Sequence, residues 1–380
     1  MQKSPASIII TNYNYGRFLP EAIESALNQS YQPTEVIVVD DGSTDDSQQI
    51  IASYGEKIVP LLKDNGGQAS AFNAGFAMSR GEVICFLDSD DILLPSAIER
   101  AVKTLHDEPY AVKVHWPLRV IDIDSNLLEK IDCEDILPEG NLYNEQLKYG
   151  IEGHIFPPTS GNVWLRSYLE KILPMPETNY RLNAESYLGF LAPFSGNIRR
   201  INDYQSLYRI HGHNGTNKRT YSWRLSHYYY EEQVLREYLQ KQGIKVNGAF
   251  EYREDSCHNY LRRMVELGKE LGSLIAQRQN YILVDMDELG HHQLLENCQA
   301  IPFLEKEGVY WGPPSDDAIA IKEFERLHHE GASFIVFAWP AFWWFDYYAE
   351  FTCYLRTKFS CVLNHERLVV FDLQYQLDTV

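Results

Sequence analysis

Val83-Ile84-Cys85-Phe86-Leu87-Asp88-Ser89-Asp90-Asp91 decides how the rest of this chain is read. Five apolar residues in a row fit a strand buried on both faces, as in a parallel sheet, and the run stops abruptly on carboxylates. Pro95, Ile98, Val102 and Leu105 follow at helical spacing, with the proline suited to a first helical turn. In open α/β sheets ligands bind beyond the carboxyl ends of the strands, so an acidic strand end is where chemistry is sought. Residues i and i+2 of an extended segment point the same way, which lets Asp88 and Asp90 face one hard cation such as Mg²⁺ or Mn²⁺.

An Asp-x-Asp triplet alone is a weak signal, but two more strand ends share its character. Ser7–Thr11 runs into Thr11-Asn12-Tyr13-Asn14, and Glu35–Asp40 runs into Asp41-Gly42-Ser43. A further strand is expected at Ile58–Leu62, and Phe18, Leu19, Ala22, Ile23, Ala26 and Leu27 recur at helical spacing between the first two. This alternation predicts an α/β fold with a largely parallel sheet.

The chain has 380 residues, 44% apolar and 23% charged, which excludes a disordered polymer. Its net charge is −19, from 34 basic and 53 acidic residues, so a nucleic-acid partner is not expected. Six scattered cysteines without a Cys-x-x-Cys pair argue against a zinc site or a disulfide framework. Residues 1–7 lack the apolar run of a signal peptide, and no apolar run reaches the ~20 residues of a membrane helix. A cytoplasmic protein is expected, with peripheral association at the inner face of the membrane left open. Three parts are expected: a catalytic domain over 1–220, a helical linker over 221–275, and an accessory α/β domain over 276–380.

Four motifs resemble the family 2 glycosyltransferases in order and spacing. They are Ser7–Asn14 with Ala26-Leu-Asn-Gln-Ser30, Val36–Asp45, Asn65–Gly75, and Gly81–Asp91. The resemblance covers residues 5–215. It implies the A-type glycosyltransferase fold, a Rossmann-like nucleotide half joined to an acceptor half. The implied activity is inverting, metal-dependent, hexosyltransferase-type transfer from a nucleoside diphosphate sugar, with UDP as the expected nucleotide, to a glycan or lipid-linked acceptor in polysaccharide or cell-surface glycan synthesis.

Carried over position by position, the resemblance places Thr11, Tyr13 and Asn14 at the nucleotide, with Tyr13 stacking near the base and Asp41 accepting the imide N–H. Gln68 and Asn73 stand in for an arginine that relatives often carry where this chain has Phe72. Asp88 would face ribose or metal, and Asp90 would bind the Mn²⁺ or Mg²⁺ that bridges the diphosphate. Asp91, Ser160, Gly161 and Asn162 would line the donor sugar or acceptor pocket. Glu185 falls where relatives carry a catalytic carboxylate, usually an aspartate. His211, rather than His213, fits the strand end that in some relatives returns a histidine to the metal.

Two rivals stand beside this reading. A sugar-1-phosphate nucleotidyltransferase would need a Gly-rich, basic loop after the first strand, where Thr11–Arg17 offers one glycine and one arginine. A degenerate nucleotide-sugar-binding protein is suggested by Phe72 and Glu185. Beyond residue 276, Asp285, Asp287 and Glu288 follow a strand, Gly308–Pro314 reads as a rigid aromatic loop, and Trp339, Phe342, Trp343 and Trp344 read as core. His291-His292 and His328-His329 lack partners at ligand spacing.

Overall fold

A computed structural model of the chain describes residues 4–134, 136–211, 219–246, 248–276, 279–289, 294–295, 298–306 and 309–376. His213, His291, His292 and Gly308 lie outside the described residues. The chain forms two compact units, one of residues 1–214 with 229–253 and the other of 215–228 with 254–380.

In the first unit the elements run β1 (Ala6–Asn12), α1 (Leu19–Leu27), β2 (Thr34–Asp40), α2 (Ser47–Ser53), β3 (Val59–Leu62), α3 (Gln68–Met78), β4 (Val83–Asp88), β5 (Ile92–Leu93) and α4 (Ala97–Asp107). There follow β6 (Ala111–His115), β7 (Leu118–Ile121), β8 (Leu127–Asp132), α5 (Tyr143–Tyr149), β9 (Asn162–Leu165), α6 (Arg166–Ile172), α7 (Ala184–Leu191), β10 (Asn197–Arg200), β11 (Ser206–Arg209) and α8 (Tyr221–Lys241). The main sheet has the order β10-β6-β9-β4-β1-β2-β3, and β9 runs antiparallel to both its neighbours. A smaller sheet has the order β5-β11-β7-β8.

Strand alternation explains why the central strands are apolar throughout. Ile8, Ile10, Val36, Val38, Cys85 and Leu87 pack in one core with α1 and α4, whereas Ile9, Ile37, Val39, Ile84 and Phe86 pack in the other with α3 and α7. Gly75 lets α3 lie close to the sheet, since a Cβ there would stand 2.4 Å from Ile9 Cγ2. The chain lays β2 and β3 on one side of β1 and then β4 on the other, so the topological switch point falls between β1 and β4. There the register puts Thr11 beside Asp88, and Asn12 beside Asp40. This is the expected α/β architecture, a Rossmann-like half of A-type glycosyltransferase kind continued by an antiparallel strand.

The second unit carries α9 (Cys257–Leu274), β12 (Asn280–Val284), β13 (Gln299–Pro302), β14 (Glu305–Lys306), β15 (Val309–Tyr310), α10 (Asp317–His329), β16 (Ala332–Ala338), α11 (Trp344–Tyr347), α12 (Ala349–Lys358), β17 (Phe359–Asn364) and β18 (Leu368–Gln376). Its sheet has the order β13-β12-β16-β18-β17, with β13, β12 and β16 parallel.

The expected 221–275 linker does not exist as one body. Residues 229–253 belong to the first unit, where Tyr230, Val234, Leu235, Tyr238 and Leu239 of α8 join its core. Residues 254–275 belong to the second unit, where Arg367 pairs with Glu266 and Glu270 of α9. The apolar stretch Val112–Val120 forms two strands, β6 and β7, with Trp116-Pro117 between them. Among the described residues, no helix is long and apolar enough to cross a membrane.

Candidate active site

The carboxyl edge of β4 ends in Asp88, and the turn after it brings Asp91 N–H to the Asp88 carbonyl at 3.1 Å. Burial, then Asp90 and then Glu185, hold the Asp88 carboxyl well above the usual carboxylate range. Asp91 is pushed up too, by burial and then by Asp90 and Asp88. Carboxylates so crowded and desolvated form a site of stored negative potential, the environment that a hard cation relieves. Glu185 stands in the first turn of α7, so the sheet edge and the helix start bring it into electrostatic reach of Asp88.

Gln68 ties these parts together. It opens α3, and its Oε1 accepts the Ala184 N–H at the start of α7 at 3.0 Å. Its Nε2 donates toward Asp88 Oδ1 at 3.5 Å and Thr159 Oγ1 at 3.4 Å. Gln68 thus sits between the metal-type carboxylates and the helix that carries Glu185.

His211 Nε2 lies 3.0 Å from Asp90 Oδ2, and the imidazole is enclosed by Phe18 (centroids 5.0 Å, stacked) and Tyr15 (5.3 Å, edge-on). Arg209 is fully buried behind this pair. Its backbone N–H donates to Asp91 Oδ1 at 2.9 Å, its Nε to the Asp90 carbonyl at 2.8 Å, and its guanidinium pairs with Glu21 at 3.2 Å. It therefore holds the Asp90-Asp91 turn in shape. The phenols of Tyr15 and Tyr208 are both pushed well up, first by burial and then by the same three aspartates, so both face the acidic cluster.

The residues present suit a divalent cation. Asp90, Asp88 and His211 offer carboxylate and imidazole donors, and Mg²⁺ or Mn²⁺ at a nucleotide takes its remaining ligands from phosphate and water. Among the described residues, no group of three His, Cys, Asp or Glu side chains is placed to hold a metal ion by itself.

At the neighbouring strand end Asp41 is encircled. It accepts Lys63 Nζ at 2.6 Å and the Gly66 N–H at 2.9 Å on Oδ1, and the Gly67 N–H at 2.7 Å on Oδ2. Gly67 has φ +90°, and a Cβ there would lie 2.7 Å from Arg181 Cα, so only glycine serves. A carboxylate offers about four acceptor positions, so one remains open for a further N–H. Tyr13 projects beside it, 48% exposed, and Thr11 is half-buried.

Several expected site residues do other work. Asn73 lies five residues into α3 from Gln68, on a different side of the helix. Its amide clamps the loop after α6 through Met175 (2.9 Å to its O and from its N) and Glu177 (3.1 Å). Asn162 is buried and spends its Nδ2 on the carbonyls of Pro157 and Pro158, at 3.0 and 2.7 Å, so it shapes the turn rather than lining a pocket. Gly161 is packed against Pro157 and Leu118. Ser160 is fully buried and accepts the Asp88 N–H at 3.2 Å, supporting the acidic edge from beneath. Asn14 has φ +59°, and its Oδ1 accepts the Thr44 N–H at 2.7 Å, so it fastens the loop before α2. Phe72 is stacked on Phe86 in the core (centroids 4.1 Å), so no side chain at that position reaches the site. Instead, Arg181 comes to the Asn65-Gly66 loop, donating to the Gly66 carbonyl at 3.1 Å. Thr159, Tyr15, Tyr208, Arg209, Lys63 and Arg181 join the site from positions within four residues of a motif residue, where the local pattern does not single them out.

Residues 7–173 match the model of glycosyl transferase family 2. An uncharacterized glycosyltransferase of Nostoc sp. (strain PCC 7120) is 37% identical over 212 residues, 55% of this chain and 65% of that protein. One of Rickettsia prowazekii is 45% identical over 100 residues, 26% of this chain and 31% of that protein. The chain thus spans less than two thirds of the length of either relative. Among solved structures, S. aureus TarS 1-349 in complex with UDP-GlcNAc is similar with TM-score 0.46 and 20% identity, over 71% of this chain and 82% of that one. Over residues 7–173, the chain is similar to glycosyl transferase family 2.

Proposed function

We propose that the first unit transfers a sugar from a nucleoside diphosphate sugar, with UDP as the nucleotide, to a hydroxyl of a glycan or lipid-linked acceptor, and that it inverts the anomeric centre. One observation supports this reading: Asp88 lies in the electrostatic field of both Asp90 and Glu185, so the acidic cluster serves the diphosphate and a separate carboxylate on α7 is left for proton transfer.

The base would lie against Tyr13, with Asp41 accepting its imide N–H. Asp90, Asp88 and His211 would hold a divalent cation, which when bound supplies charge neutralisation for the departing diphosphate. Glu185 takes the proton from the acceptor hydroxyl. That oxygen forms its bond to the anomeric carbon as the bond from carbon to the diphosphate oxygen breaks, and a single displacement inverts the configuration. Gln68 keeps the start of α7 in place for this step. Phe72 gives no support to a degenerate site, because that departure from the family pattern is in the core.

The test is a donor screen across nucleoside diphosphate sugars, followed by Glu185→Gln with the donor found. Transfer should fall by ~10²–10⁴-fold, the usual worth of a general base, with UDP binding near wild type. A Gln variant that keeps full transfer would place the base elsewhere.

A further inference from the structure

The second unit repeats, on a smaller scale, the topology that builds a ligand crevice. From β12 the chain goes first to β13 on one side and then to β16 on the other, so the switch point lies between β12 and β16. In such sheets ligands bind outside the carboxyl ends of the strands at this point. The three segments that leave those ends meet there. Asp285, buried, closes the turn after β12 by accepting the N–H groups of Asp287 (3.1 Å) and Leu289 (2.9 Å). That turn holds two successive non-glycine residues, Met286 and Asp287, at φ +60°, a backbone strain that collects at ligand sites. Tyr310, which follows β13, donates to Met286 Sδ at 3.4 Å and feels the charges of Asp285 and Asp287. Tyr348, which follows β16, donates to the Pro314 carbonyl at 2.6 Å and so joins the aromatic loop to the segment after β16.

Around this meeting point the large aromatic residues divide. Trp344 is core, as expected, but Trp343 is 41% exposed, Tyr347 65% and Trp311 68%. Trp343 and Tyr347 lie edge to face at 5.6 Å, and Trp343 lies 6.0 Å from the buried Tyr348, so Trp343 and Tyr347 form one joined aromatic rim. The rim is aromatic, not aliphatic, and its polar neighbours are acidic. Asp287 and Glu288 are exposed on the turn after β12, and Asp346 lies within α11 between the exposed rings. Trp311 is set apart from this rim by Lys306, whose Nζ lies 4.3 Å over its ring. Flat ring faces suit the C–H faces of pyranose rings, and carboxylates accept hydrogen bonds from their hydroxyls. The same carboxylates repel phosphate and other anionic groups.

We infer that the carboxyl edge of β12, β13 and β16 in the second unit is a binding site for a neutral carbohydrate chain, with Trp343 and Tyr347 as stacking platforms. This goes beyond the transferase reading and does not depend on it, because binding is measured without donor.

The experiment is calorimetry and affinity electrophoresis of the full chain against cellohexaose, maltohexaose and chitohexaose and their polymers, with heparin as the anionic control. At least one neutral glycan should bind and heparin should not. Trp343→Ala, alone and combined with Tyr347→Ala, both at exposed positions, should weaken that binding by about tenfold or more while UDP binding is unchanged. No binding to any neutral glycan, or binding that survives both substitutions, would overturn the inference. It would equally be overturned if the substitutions changed the sedimentation of the chain without changing glycan affinity, since the rim would then be a protein interface. Glycan affinity lost on Glu185→Gln but kept in the tryptophan variants would place the ligand in the first unit and overturn the inference as well.

Discussion

Replacing Gln68 by Ala removes the link between the acidic edge and the helix that carries Glu185. α7 begins at Asn183, whose side chain caps nothing, so the Gln68 Oε1 at 3.0 Å takes the place of a capping group for the Ala184 N–H. Loss of a cap costs about 0.5–2 kcal/mol. The contacts to Asp88 at 3.5 Å and Thr159 at 3.4 Å are at the limit of hydrogen-bond geometry and add little. A loss of about 1–2 kcal/mol lowers Tm by roughly 2–8 °C for a domain of this size. The larger effect falls on the rate, since a shift of ~1 Å in a catalytic group costs about 10²-fold. The assays are a thermal melt and nucleotide release with the best donor. Gln68→Glu keeps the acceptor for Ala184 but turns a like charge toward Asp88, so its loss of stability should be confined to pH values at which both are ionised. A Gln68→Ala variant with unchanged melting and unchanged rate would refute the bridging role.

Other consequences are open to measurement. Lys113 is fully buried, with its Nζ lacking a hydrogen bond and lying 5.0 and 4.8 Å from the Phe156 and Trp164 rings, and burial pushes the amine well below the usual lysine range. Lys113→Met should therefore raise stability in denaturant titration by about 1–3 kcal/mol at pH 7. The gain should shrink toward pH 10.5, where the unfolded amine also loses its proton. Asp88 has a folded pKa above its unfolded value of 3.8, so its protonated form favours the fold at low pH and that contribution is lost as pH rises through the raised pKa. In EDTA, Asp88→Asn should accordingly be more stable than wild type at pH 8, with the difference narrowing on acidification. Adding Mn²⁺ should stabilise the wild type and leave the variant nearly unchanged, and a difference that does not vary with pH would contradict the burial of that carboxylate.

The parts of the fold that could be read in the sequence are those built from local pattern. β1, β2 and β4 announce themselves because strands buried on both faces must be apolar throughout, and their polar ends stand side by side because parallel register aligns them. The nearness of His211 to Asp90 was legible in the motifs, whereas the electrostatic reach of Glu185 to Asp88 was not, since no local pattern joins α7 to the end of β4. Asn73 and Asn162 misled for one reason: an amide beside a site residue in sequence can turn to a loop carbonyl instead, and nothing local says which. β10 (Asn197-Ile-Arg-Arg200) gave no signal because an edge strand need bury only one residue in two. The division of 221–275 was hidden because one boundary falls inside α8, between Tyr228 and Tyr229, where the helix continues unbroken. Tyr15, Thr159 and Tyr208 enter the site through tertiary contacts alone.

The central claim is that Asp90, with Asp88 and His211, binds the diphosphate of a nucleotide through a divalent cation. Calorimetry of UDP binding tests it most directly, run with Mn²⁺ and with EDTA on the wild type and on Asp90→Ala. UDP should bind the wild type in Mn²⁺, lose most of its affinity in EDTA, and bind Asp90→Ala equally weakly in both. UDP affinity that is the same in Mn²⁺ and EDTA for the wild type would contradict the account.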